Sequence, residues 1–235
     1  MSSLRVCFLI FFMINLLAAQ TVIEDGAHVS GTWTLSGSPY LIRGEAIVDE
    51  DSLLQIEPGV EIRFKTGSQS DYLDPAFDLA FLRIDGKLTA QGSADQPIVF
   101  TRDGADGNWG ILFFDQTADS SSTLKFYRIE YASHILHLLD WLEYSGAVSV
   151  NGTQVTLEQC RVSRNAKDGL FAHNGSFRVT NSLIARNGAN GLVAASDARL
   201  QVSNVTLTGN SENGIAMGLN SSLSVTNSIF WNNGG

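Results

Sequence analysis

Three phrases recur along one frame of the chain, RNAKDG (Arg164–Gly169), RNGANG (Arg186–Gly191) and GNSENG (Gly209–Gly214), and WNNGG from Trp231 opens a fourth copy. The steps between Asn165, Asn187, Asn210 and Asn233 are 22, 23 and 23 residues. A catalytic constellation normally occurs once, whereas an architectural device returns at a fixed period. The polar knots around these asparagines are therefore read as structural punctuation.

The flanks repeat in step. VTLEQCRVSRN, FRVTNSLIARN, LQVSNVTLTGN and LSVTNSIFWNN begin at Val155, Phe177, Leu200 and Leu223. Aligned, they place Leu157, Val179, Val202 and Val225 in one apolar column and Val162, Ile184, Leu207 and Phe230 in another, while Leu170, Leu192 and Ile215 follow the glycines. Short alternating runs separated by Asn/Gly turns are strand patterns, and no run here sustains a 3.6-residue period. Units of this length bury their inward side chains by stacking on one another, which makes a solenoid. Leucine-rich repeats have a similar period, but their L-x-x-L-x-L-x-x-N phrase is absent. Asn at the turns suits a left-handed backbone position, and stacking at about 4.8 Å would let one amide donate to the next. Cys160 aligns with Ser182, Val205 and Ser228 in a column of small residues, so it reads as a packed core thiol.

These repeats resemble the right-handed parallel β-helix repeats of secreted proteins in the pectin-lyase-like superfamily. The earlier segments extend the likeness: Leu82–Gly92 resembles the phrase L-x-I-x-G-x-L-x-A-x-G of opening coils, and it leads to PIVFT (Pro97–Thr101) and WGI (Trp109–Ile111). The resemblance implies an all-β parallel β-helix with coils of 22–23 residues, long parallel sheets and stacked asparagines. The domain plan expected is a signal peptide over 1–20, irregular coils over 21–126, and regular coils over 127–235 with an insertion at 134–146. The chain ends on a newly opened repeat, so the expectation is an N-terminal piece of a longer protein.

Residues 1–20 carry one basic residue, Arg5, an apolar stretch from Val6 to Leu17 and small residues at Ala18 and Ala19, the pattern of a secretory signal. The expected location is secreted or cell-surface, with no membrane span after signal cleavage. Removal of that segment takes Cys7 and leaves Cys160 alone, so no disulfide within the chain is expected. The formal net charge of -9 argues against nucleic acid as a partner. It also disfavours anionic membranes, and polyuronates unless a cation intervenes.

Two segments break the rhythm, SQSDYLDPAFDLA (Ser68–Ala80) and HILHLLDWLEYSG (His134–Gly146). The second reads as a short amphipathic helix or lid, an insertion of eight residues if Leu124 is aligned with Val155. Insertions in solenoids tend to gather recognition on one face. Together they concentrate Asp71, Tyr72, Asp74, His134, His137, Asp140, Trp141 and Tyr144. Aromatic rings stack on the C–H faces of sugars and carboxylates accept sugar hydroxyls, so these residues are the expected rim for a polysaccharide or cell-surface glycan. On a helix, His134, His137 and Asp140 would share a face suited to a metal, but no metal site is assigned. RDGADGNWG (Arg102–Gly110) looks like part of a calcium loop without the distal Glu of an EF-hand, and the cofactor expectation is none, with calcium the one ion considered. Arg164 and Arg186 align on adjacent coils and are read as a solvated exterior pair.

The pectin-lyase-like fold hosts several chemistries. The R-x-P-x-x-R and D-H phrases of pectate lyases do not occur here, nor do the N-T-D, D-D and G-H-G phrases of polygalacturonases. DPAFD (Asp74–Asp78) resembles the D-P-H-D of alginate epimerases without its His. The expected function is a non-catalytic carbohydrate-binding or adhesive scaffold. The alternative is a polysaccharide lyase, hydrolase or epimerase that uses a groove beside the parallel sheet.

Overall fold

A computed structural model describes residues 20–68, 78–137 and 142–235. The chain winds through three parallel sheets in strict rotation. Sheet A has nine strands, from Thr21–Ile23 to Ile229–Trp231; sheet B has eight, from Ala27–His28 to Ile215–Leu219; sheet C has eight, from Gly31–Trp33 to Ser222–Thr226. Every coil runs A to B to C, so the molecule has three corners: A–B, B–C and C–A. The segment before Phe126, expected to be irregular, lies in the same three sheets as the later repeats.

The registers match the columns seen in the sequence. Leu157 pairs with Val179, Val179 with Val202, and Val202 with Val225. The Val162, Ile184, Leu207, Phe230 column and the Leu170, Leu192, Ile215 column are likewise in register. Alternation along each strand sends these side chains inward to one continuous core, which runs from Val29 to Leu207. Phe64 and Trp109 stack within it at 4.0 Å, and the Trp109 indole donates to the Glu130 carbonyl at 2.9 Å. Cys160 is buried in its small-residue column, its thiol 3.1 Å from Ser182 Oγ.

The asparagine ladder exists, and it is doubled. Asn165 Nδ2 donates to Asn187 Oδ1 at 2.9 Å, Asn187 to Asn210 at 3.0 Å, and Asn210 to Asn233 at 2.9 Å. Three residues on, Asn213 Nδ2 donates to Asn190 Oδ1 and Asn190 Nδ2 to Asp168 Oδ1, both at 2.9 Å. The expected backbone reason is wrong for the first ladder. The left-handed position is one residue earlier, at Arg164, Arg186, Gly209 and Asn232. The laddered asparagines point inward and are held by hydrogen bonds, whereas Asn174, Asn181, Asn204 and Asn220, in the left-handed region, stand at the other two corners.

The second insertion also departs from expectation. Leu124 pairs with Leu157 instead of Val155, and Ala132 occupies the place of Asn165, donating its N–H to Asn165 Oδ1 at 3.0 Å. The insertion is accordingly longer than eight residues. Its described residues form an antiparallel pair of strands, Ile135–His137 and Leu142–Tyr144, and no helix. Ile135 and Tyr144 are fully buried against sheet B, so the segment is held by apolar packing.

Candidate functional site: the outer face of sheet B and the A–B corner

Sheet B turns every second side chain outward, and its outward residues fall into rows across the coils. One row runs Arg83, Phe113, Ser149, Phe171, Val193, as the registers require. Two residues on, past the inward Ile84, Phe114 and Val150, lie Asp85, Asp115 and Asn151, followed by His173. The first row is apolar in the middle of the sheet. There Tyr144 lays its ring 4.6 Å from Phe113 and 5.8 Å from Phe171 in a cluster with Phe81, Ile111 and Ile135. The hairpin thus covers the apolar part of this face and leaves the polar row beside it.

That polar row is connected. Asn151 Nδ2 donates to Asp115 Oδ1 at 3.1 Å, and the His173 ring lies 3.4 Å from Asn151 Oδ1. Toward the first coils, Arg83 bridges two carboxylates, with Nη1 2.8 Å from Glu45 and Nε 3.0 Å from Asp85. Desolvation raises the pKa of both Glu45 and Asp85 from their ordinary values, against the pull of Arg83. Nearby Asp25 adds to the effect at Glu45, and Asp115 and Asp49 add to it at Asp85. Two half-buried carboxyls astride one guanidinium can present hydrogen-bond acceptors to hydroxyl groups and can hold a proton more readily than free side chains.

Three successive coils send long connections across the A–B corner: Phe64 to Phe81, Arg102 to Leu112, and Glu130 to Gly146. Both irregular segments of the sequence therefore fall between a sheet A strand and the next sheet B strand. In the middle connection, Arg102 stacks on Tyr131 at 4.0 Å and donates to the Gly107 carbonyl at 2.9 Å, so a side chain closes the loop considered for calcium. Among the described residues, no group of three or more His, Cys, Asp or Glu is arranged to hold a metal ion.

Of the residues singled out from sequence, Asp71, Tyr72, Asp74, Asp140 and Trp141 lie outside the described residues. His137 pairs through its backbone with Leu142. His134 is half-buried, with Nδ1 2.8 Å from Ser133 Oγ; burial lowers its pKa, Lys167 lowers it further and Glu143 opposes the shift. Tyr144 is a correction: it is fully buried over Phe113, so it anchors the hairpin and presents no ring to solvent. The one-face arrangement of His134, His137 and Asp140 needed a helix, and the hairpin removes its premise. Sequence reasoning missed Glu45, Arg83, Asp85 and Asp115. Asp85 and Asp115 take matching outward positions on successive strands, and Glu45 and Arg83 lie on the same face in other rows.

Three parallel sheets wound in rotation, with stacked amides inside one corner, define a parallel β-helix. The right-handed beta helix region family matches residues 114–235, and the pectate-lyase-like beta helix domain family matches residues 26–115. The chain belongs to the right-handed β-helix family. No curated protein and no solved structure matches it.

Proposed function

We propose that this β-helix is a secreted or cell-surface scaffold that binds carbohydrate without cleaving it, with recognition on the outer face of sheet B and along the A–B corner. The observation that carries this reading is the convergence of three long connections, in consecutive coils, beside a face bearing Glu45, Arg83, Asp85 and Asp115. Carboxylates and a guanidinium group gathered on one sheet face over successive coils suit the repeating hydroxyls of a saccharide chain. The aromatic and acidic residues Tyr72, Asp71, Asp74, Asp140 and Trp141 belong to the same two connections by their place in the sequence.

A glycan array comparing the protein with its Tyr72→Ala, Trp141→Ala variant tests the reading. Binding by the parent that falls in the variant, with no new reducing ends released from bound polysaccharide, is the expected result. Equal binding by both moves the site elsewhere. The second reading, a polysaccharide-active enzyme, draws on the raised carboxyl pKa values of Glu45 and Asp85 beside Arg83, because a carboxyl that keeps its proton can serve as a general acid. Release of reducing ends that stops in Glu45→Gln or Asp85→Asn would establish it.

A further inference from the structure

An asparagine followed by glycine can react with itself, because the unhindered glycine nitrogen can attack the side-chain amide carbon and expel ammonia. The chain holds six such pairs, beginning at Asn151, Asn174, Asn187, Asn190, Asn213 and Asn233. A fold restrains the reaction by holding the glycine N–H, the side-chain amide, or both. Four of the glycine N–H groups are held on carbonyls of neighbouring coils: Gly152 on His173 at 3.0 Å, Gly188 on Asn165 at 2.9 Å, Gly191 on Asn213 at 2.9 Å and Gly234 on Asn210 at 3.0 Å. The amides of Asn187 and Asn190 are fixed in the ladders, that of Asn233 donates to the Leu207 carbonyl, and that of Asn151 to Asp115. Asn213 has its backbone N–H and its side-chain amide both fixed on Asn190 Oδ1, at 3.1 and 2.9 Å.

The remaining pair, Asn174 and Gly175, makes the B–C corner between Asp168–His173 and Ser176–Thr180. Asn174 is exposed and takes φ 51°. A left-handed residue holds the next nitrogen away from its own side chain, so ring closure needs the intervening peptide to rotate. Among the described residues, neither the Gly175 N–H nor the Asn174 carbonyl makes a hydrogen bond, so that peptide turns without breaking one. The flanks stay anchored, with the Asn174 N–H on the Ser196 carbonyl and the Ser176 N–H on the Thr153 carbonyl, both at 2.8 Å. An open groove of about 530 Å³ beside Asn174 and Gly175 gives water access. The imidazole of His173 completes the site. Its Nδ1 lies 3.4 Å from Asn174 Nδ2, which can only donate, and 3.4 Å from Asn151 Oδ1, which can only accept, so this nitrogen is placed both to take up a proton and to give one back.

We propose that Asn174 is a site of self-modification, converted to aspartate and isoaspartate with His173 as the proton carrier. The Gly175 N–H gives its proton to His173 Nδ1 as the nitrogen bonds to Asn174 Cγ. His173 returns the proton to Nδ2, the Cγ–Nδ2 bond breaks, and ammonia leaves a five-membered imide. Water then adds across one of the two ring C–N bonds: opening at Cγ gives aspartate, and opening at the main-chain carbonyl gives isoaspartate. One water is consumed, one ammonia is released, and nothing is oxidised or reduced. The repeat accepts the first product, since Asp197 holds the same column in the next coil at φ 47°. Either product places a new carboxylate beside His173, at the end of the polar row through Asn151 and Asp115. The charge of this corner thus changes with the age of the molecule. The proposal rests on the corner's geometry and is independent of the carbohydrate reading.

Trypsin separates the sites. Cleavage after Lys167 and Arg178 gives a peptide whose one asparagine is Asn174, and cleavage after Arg186 and Arg199 gives one holding Asn187 and Asn190. The folded protein, and the same protein in urea, are aged at neutral pH and physiological temperature, digested, and followed by mass spectrometry and isoaspartyl methyltransferase labelling. In the folded protein, Asn174 converts at least about tenfold faster than Asn187 and Asn190, which react only after local opening. In urea the three convert at similar rates. His173→Gln slows conversion of folded Asn174 by about tenfold, as expected for a lost proton carrier. His173→Ala does the same, and added imidazole restores the rate, which a merely structural role would not allow. Asn174→Asp keeps the melting temperature of the parent. Equal rates at the three asparagines of the folded protein, or no conversion at Asn174, overturn the proposal. Unchanged conversion in both His173 variants overturns the role of His173, and a marked fall in melting temperature in Asn174→Asp overturns the claim that the coil accepts the product. If the His173 variants do not fold, the folded and urea-treated parent decide the matter by themselves.

Discussion

Replacing Asn187 with Leu should cost the fold about 3–4 kcal/mol, because the substitution strips partners from a neighbour that cannot reach water. Asn187 is 1% exposed and Asn165 is 2% exposed. Asn187 Oδ1 accepts the Asn165 side-chain amide at 2.9 Å and the Asn165 backbone N–H at 3.3 Å. Both donors are orphaned by Leu, and each buried unsatisfied group costs roughly 1–3 kcal/mol. Asn210 Oδ1 loses one donor but keeps the Asn187 backbone N–H at 3.1 Å, so it adds little. The apolar side chain returns up to about 1 kcal/mol by burial. Urea denaturation followed by far-ultraviolet circular dichroism reads the change. In a ladder, the Asn187→Leu, Asn210→Leu pair should cost less than the two single changes together, since they share a bond. A loss under about 1 kcal/mol for Asn187→Leu would refute the reasoning and make the ladder dispensable.

Tyr127→Phe should leave the protein as stable or raise its stability by about 1 kcal/mol in the same assay, because the buried Tyr127 hydroxyl has no oxygen or nitrogen partner among the described residues and only the weakly accepting sulfur of Cys160 beside it; a clear loss would reveal a stronger bond to that hydroxyl. Tyr144→Ala should free the hairpin locally, seen as faster hydrogen exchange at Ile135–His137 and Leu142–Tyr144 with Leu170 and Val179 unchanged; uniform acceleration would mean that the hairpin is integral to the coil stack. Glu45 and Asp85 have folded pKa values raised above their ordinary values of 4.5 and 3.8, so the folded state binds their protons more tightly. Their contribution to stability is full below those ordinary values and is lost as the pH rises through the raised folded values. Melting temperature against pH should therefore fall less steeply across that window in Glu45→Gln than in the parent; parallel curves would contradict the assignment.

The repeat was legible because each coil restates the same inward columns, so Val162, Ile184, Leu207 and Phe230 could be aligned without knowing what they touch. The hairpin was not. HILHLLDWL offers helical spacing as readily as strand alternation, and the contacts that decide between them come from Phe113 and Phe171 in other coils. The left-handed position was misplaced by one residue because Arg164 and Arg186 occupy a conformation that usually favours Gly or Asn. Glu45, Arg83, Asp85 and Asp115 were missed for a different reason: their strands are separated by connections of unequal length, which hides that they share one sheet face until the registers are known.

The central claim, that carbohydrate is bound on the outer face of sheet B, is tested most directly by assigning the backbone amides and titrating in the best ligand from the glycan array. The account predicts that shifts cluster at Arg83, Asp85, Asp115, Asn151 and His173 and along the connection from Arg102 to Leu112, with the inward Leu170 and Leu192 silent. Shifts confined to sheet C or to the C–A corner, or no shifts at saturating saccharide, would contradict it.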